Sequence, residues 1–171
     1  IDGNAGNKGT LSVTANGATF ANKVGNTQNL DTVQIGAAGT TSASFANVLK
    51  TQTLNVGVTG QAGASSGTFT GAVTATTIAV DAVTTSTTAS TADFNDAVAV
   101  ATALNITAGA NAAENATANF AGAVTGAGAI TLTEAGAGTA TMIIDGVNVN
   151  VANAIDGNAG NKGTLSVTAN G

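Results

Sequence analysis

A chain of 171 residues, 43% of them hydrophobic, can bury one continuous core, but with five Phe, one Met and no Trp, Tyr or Pro that core must be built from Val, Leu, Ile and Ala. Only 8% of residues are charged, and four Lys, no Arg and nine carboxylates give a formal charge of −5, which leaves no basic stripe for nucleic acid or for a polybasic membrane contact. Zero Cys and zero His remove disulfides, thiolate or imidazole metal sites and the usual nucleophile–base pairs.

The opening phrase "IDGNAGNKGTLSVTANG", residues 1–17, recurs letter for letter at 155–171. Residues 1–154 therefore read as one unit of a tandem array, and 155–171 as the start of the next identical unit. The absence of an initiator Met, of a signal peptide and of an apolar run long enough to span a bilayer fits a piece taken from the middle of such an array.

Along the chain the first predicted strand is Leu11-Ser12-Val13, followed by a corner at "FANKV" (20–24). Strand Val33–Ile35 leads to the corner "FANVL" (45–49), and Leu54–Val56 leads to "FTGAV" (69–73). Ile78–Val80 precedes "FNDAV" (94–98), Leu104–Ile106 precedes "FAGAV" (120–124), and Ile130–Leu132 precedes "IIDGV" (143–147). The strand series then resumes at Leu165. The five Phe stand 25, 24, 25 and 26 residues apart, and Ile143 takes the sixth place in their column.

Each column has a physical reading. The first is large and apolar, and the fifth (Val24, Leu49, Val73, Val98, Val124, Val147) is aliphatic. The third (Asn22, Asn47, Gly71, Asp96, Gly122, Asp145) holds residue types suited to tight turns. The strands alternate apolar and polar residues, the period of a sheet with one buried face. Thr, Asn and Gly are poor helix formers. A repeat of 22–26 residues with short strands and sharp corners predicts an all-β parallel β-helix (solenoid) of about six coils per unit, with like residues stacked in ladders. Thr-rich stretches at 74–77 and 84–91 fall on the solvent side.

The competing architecture is an array of immunoglobulin-like sandwiches, which gives no reason for one corner pentad to recur six times. An Ala-rich helix over 92–124 is opposed by internal Gly, Thr and Asn and by the match to the coil register.

The cadence of "SASFANVLKTQTLNVG" (42–57), "GTFTGAVTATTIAV" (67–80) and "ANFAGAVTGAGAITLT" (118–133) resembles bacterial surface autotransporters. It is similar above all to the repeat-bearing passenger regions of rickettsial outer-membrane surface antigens and S-layer-like proteins. That resemblance implies a right-handed β-helix displayed at the cell surface or outside the cell, serving as adhesin, stalk or coat. It maps no functional residue onto this chain.

The search for chemistry returns little. Asp93 and Asp96 bracket Phe94, but Asp96 fills the turn column and Asp93 reads as a solvated strand edge. "DGNAGN" offers Asp2, Asn4 and Asn7, and again Asp156, Asn158 and Asn161, as candidate calcium ligands in a Gly-rich loop. The plainer reading is a surface turn, since the EF-hand pattern and the GGxGxD repeat are missing. Asn105 and Asn115 head N-x-Thr triplets. Lys8, Lys23, Lys50 and Lys162 stand singly. A lyase or hydrolase needs converging acidic or basic residues, which this spread of carboxylates does not supply, so no enzyme is expected.

With no capping helix or polar cap legible in the unit, self-association into an array or fibre is the expected function: a stiff extracellular filament, stalk or surface coat. The alternative is an adhesin that binds a surface or glycan ligand through a coil face or through the 148–164 loop, the single overlong gap in the repeat.

Overall fold

The computed structural model of the chain describes residues 1–82, 88–146, 149–157 and 162–168. Expectations that fall on Val147, on 84–87 of the Thr-rich run, on Asn158 and Asn161, and on positions 148 and 158–161 of the long gap lie outside these residues.

The alternating stretches form strands, in chain order β1 (Thr10–Val13), β2 (Ala18–Phe20), β3 (Leu30–Ile35), β4 (Thr41–Phe45) and β5 (Leu49–Val56). Next come β6 (Ser65–Phe69), β7 (Val73–Asp81), β8 (Ser90–Phe94), β9 (Val98–Ala108) and β10 (Ala116–Phe120). The last are β11 (Val124–Thr125), β12 (Ala129–Glu134), β13 (Ala140–Ile144), β14 (Ile155–Gly157) and β15 (Thr164–Val167). One sheet runs β1-β3-β5-β7-β9-β12-β14, with β11 also on β9, and the other runs β2-β4-β6-β8-β10-β13-β15. All the pairings are parallel. This is a parallel β-solenoid of about six turns, and the segment 92–124 is strand (β8, β9, β10) rather than helix.

The first sheet is creased along its length. A flat strand alternates buried and outward residues without a break, but β5 has two outward residues in succession, Gln52 and Thr53, between buried Thr51 and buried Leu54. The same break recurs at Thr76–Thr77, and the β7–β9 register shifts there. At the crease the Thr51 hydroxyl donates to the Thr53 carbonyl at 3.0 Å. Each coil thus has three faces. The first stacks Val24, Leu49, Val73, Val98, Val124 and Val151. The second stacks Leu11, Val33, Leu54, Ile78, Leu104, Ile130 and Ile155. The third stacks Phe20, Phe45, Phe69, Phe94, Phe120, Ile144 and Val167.

The ladders are the core. Phe45, Phe69, Phe94 and Phe120 are fully buried, and the five rings stack at centroid distances of 4.6, 5.3, 4.9 and 5.0 Å. Two positions before each buried Phe the inward residue is small: Ala43, Gly67, Ala92 and Ala118. A Cβ at Gly67 would already press on the Phe69 ring at 2.9 Å. At the second-to-third-face corner Gly57 has φ +88°, and a Cβ there would collide with the Asp81 carbonyl oxygen of the next coil. Only glycine serves at that point.

Three expectations are corrected. The sixth member of the Phe column is Ile144, not Ile143: β10 and β13 pair Phe120 with Ile144, which puts Gly146 rather than Asp145 above the turn residue Gly122 and leaves Ile143 facing outward. Leu165 does not continue the Leu11 column. Ile155 does, opposite Ile130, while Leu165 lies on the third face opposite Met142. Finally, residues 149–157 are no excursion, because Val151 bridges to Val124 and β14 pairs with β12, so this stretch lies on the coil beneath it.

Candidate functional site

The described side surface of the solenoid is polar strand and corner. Apolar groups come to the surface at the two ends. Among the described residues, the large exposed hydrophobic ones are Ile1 at 57%, Leu165 at 49% and Val167 at 65% relative exposure. Ile1 belongs to the first coil, where it lines a shallow hollow with Phe20 and Val24, and Phe20 is half-buried there as the end ring of its stack. Leu165 and Val167 belong to β15, the last strand of the second sheet, and sit over Met142 and Ile144. These strands also carry backbone donors and acceptors with no neighbour on their outer side, the condition under which a sheet edge accepts a further strand.

The candidate calcium ligands fall in two different settings. In the first copy of the phrase, Gly3 and Asn7 donate backbone hydrogen bonds to the Gln28 and Asn29 carbonyls (3.1 and 3.0 Å), and Asn7 takes a left-handed turn conformation with φ 60°. The Thr27 backbone N–H donates to the Asp2 carboxylate at 3.1 Å and holds its pKa below the ordinary value. Asp2 thus caps a turn of the neighbouring coil, and Asn4 is exposed beside it. In the second copy Asp156 lies in β14 opposite Thr131. Asp2 and Asp156, the same residue of the phrase, thus sit in different surroundings. No group of three or more His, Cys, Asp or Glu is brought together among the described residues.

Asp93 and Asp96 do not converge. Asn119 donates its side-chain N–H to the Asp93 carboxylate on the outer third face, and Asp96 accepts from the Ala97 backbone N–H at 2.7 Å. Asn105 points outward from β9, and the Asn115 side-chain oxygen accepts from the Thr139 backbone N–H at 2.8 Å. Lys8 and Lys23 are exposed, and Lys50 faces outward from β5. Lys162 lies 3.9 Å from Glu134 and donates to the Gly136 carbonyl at 3.4 Å, so the second copy of the phrase is fastened to the coil below it.

One structural residue escaped the sequence reading. Glu114 is 2% exposed, and its two carboxylate oxygens accept from the Asn111 backbone and side-chain N–H groups, both at 3.0 Å. It closes the corner 109–114, where Gly109 also donates to the Glu114 carbonyl at 2.9 Å. A Cβ on Gly109 would overlap that carboxylate. A lone Glu between Ala and Asn carries no pattern that announces this role.

Parallel ladders, polar sides and apolar ends define a β-solenoid repeat protein with a structural, scaffold-type build. No protein-family model, no curated protein and no solved structure matches the chain. Among the described residues no helix is long and apolar enough to cross a membrane.

Proposed function

We propose that residues 1–154 form one unit of a stiff filament, stalk or surface coat at or outside the cell surface, with units joined end to end so that each covers the core of the next. The observation that carries this reading is the placement of Ile1, Leu165 and Val167, the large exposed hydrophobic residues, on the two end coils. Isolated solenoids need polar caps to stay soluble, and an array removes that need by making each end an interior. Identity between residues 1–17 and 155–171 supplies the continuing chain. The extracellular placement follows the resemblance to surface passenger regions. The adhesin alternative loses its projecting loop over 149–157, which lies on the coil.

The test is electron microscopy and fibre diffraction of chains carrying several units. Continuous stacking gives a meridional spacing of about 4.8 Å and a growth of about 29 Å per unit, from six coils at the ordinary strand separation. Beads spaced well beyond that length would overturn the proposal in favour of separate domains.

A further inference from the structure

The two copies of the phrase do not occupy the same place on the coil. In the first copy Ile1 pairs with Val24 on the first face: its amino group donates to the Lys23 carbonyl at 3.2 Å, and Gly25 donates to the Ile1 carbonyl at 2.7 Å. Leu11 and Val13 then lie on the second face, opposite Val33 and Ile35. In the second copy Ile155 is on the second face opposite Ile130, and Leu165 and Val167 are on the third, opposite Met142 and Ile144. Every residue of the phrase that can be compared has moved forward by one face.

Corner lengths agree with this shift independently. In the middle coils the long connection lies between the second and third faces, as from Val56 to Ser65 or from Val80 to Ser90, while the third-to-first corner is short, as from Phe45 to Leu49. The first coil is different: its long connection, Ile1 to Leu11, lies between the first and second faces. Moved forward by one face, the same connection leaves the second face at Ile155 and reaches the third at Leu165, between the same two faces as the long corner from Glu134 to Ala140. Lys162, near its end, reaches Glu134 and Gly136 of that corner. Keeping the unit in phase would instead set Ile155 on Val124 and Leu165 on Ile130. That register would push residues 145–154 out of the coil and strip Val149 and Val151 from the core they pack against.

We propose that the interface between successive units is a one-face screw, with each unit spanning six coils and one face more, so that a second copy of this chain docks on the end coil with its faces shifted by one. This rests on the tandem-array reading above and specifies its geometry. The phrase then meets the same partners above it in both copies: the next unit's counterparts of Val33 and Ile35 cover Leu165 and Val167, as Val33 and Ile35 cover Leu11 and Val13. The Phe stack restarts on a new face in each unit, and the pattern closes after three units, about nineteen coils or about 91 Å.

The absence of native Cys makes the register testable by disulfide trapping. Outward residues opposed on neighbouring parallel strands are within bridging distance. In the proposed register Ser166 opposes Ile143, whereas in the in-phase register it would oppose Thr131. The double variants Ile143→Cys/Ser166→Cys and Thr131→Cys/Ser166→Cys are oxidised in the 171-residue chain and in a chain continued through a second unit. Thr68→Cys/Asp93→Cys, opposed inside the unit, reports that the coil has formed. Near-complete bridging of 143 with 166 in both chains, with none between 131 and 166, is the expected result. Bridging of 131 with 166, or of neither pair while 68 bridges to 93, overturns the screw. Micrographs of the continued chain separate the two proposals: rods with a 131–166 bridge would sink the screw and leave the filament standing, whereas beads would overturn both, whichever pair bridges.

Discussion

Val13 and Val167 are the same residue in the same seventeen-residue phrase, yet Val13 is 4% exposed and Val167 is 65% exposed. Each lies on the end strand of its sheet with one neighbour, β3 for β1 and β13 for β15, so the same residue is closed in at one end of the solenoid and left open at the other. Likewise Phe94, between Phe69 and Phe120, is 1% exposed, while Phe20 at the end of the stack is half-buried. Burial here belongs to the stacking of coils rather than to the residue or its local sequence. Stability is then a sum over neighbouring coils, greatest in the middle and least at the ends.

The largest expected effect is the truncation of a middle ring. Phe94→Ala removes a fully enclosed side chain with a ring on either side and should cost about 3–5 kcal/mol by urea unfolding, against clearly less for Phe20→Ala. Equal losses at the two positions would break the middle-versus-end distinction. Gly57→Ala follows, with a left-handed φ and a backbone carbonyl in the way; a loss of about 1–3 kcal/mol in the same assay is expected. Val13→Ala should cost about 2 kcal/mol while Val167→Ala costs almost nothing in the 171-residue chain. In a chain continued through a second unit the cost at Val167 should rise to match. The smallest effect concerns Asp2. Its folded pKa lies below the unfolded value, so its contribution is present above the unfolded pKa and is lost as pH falls through the folded one. Asp2→Asn should therefore lower the unfolding midpoint slightly at neutral pH and leave it unchanged below the folded pKa, which removes a small acid-side slope from a pH series of midpoints.

The coil architecture was legible because Phe, small residue and aliphatic residue recur at a nearly constant interval, and an interior ladder demands that recurrence. Two details were misread for physical reasons. "IIDGV" offers two adjacent Ile, and only the alternation carried from Ala140 through Met142 fixes Ile144 as the inward one. Leu165 was placed by its identity with Leu11, although Ile155 stands 25 residues after Ile130 and keeps the coil interval, while Leu165 stands 35 after it. Stacking obeys spacing rather than identity of sequence. The crease at Thr51 and the buried Glu114 rest on single bonds within one corner, Thr51 to Thr53 and Asn111 to Glu114, which do not recur from coil to coil as a legible pattern. The end faces were legible only as a missing cap, because exposure of Ile1, Leu165 and Val167 depends on what lies beyond them.

The Phe stack has a mechanical consequence. Its rings are spaced between 4.6 and 5.3 Å on one face, while the other two faces rise on aliphatic contacts. A face of stacked rings and two faces of aliphatic side chains resist bending unequally, so a unit has one distinct side. If the seam hands the aromatic face to the next position around the axis, that side points in three directions over three units. The result is a rod with no preferred plane of flexure, assembled from units that each have one.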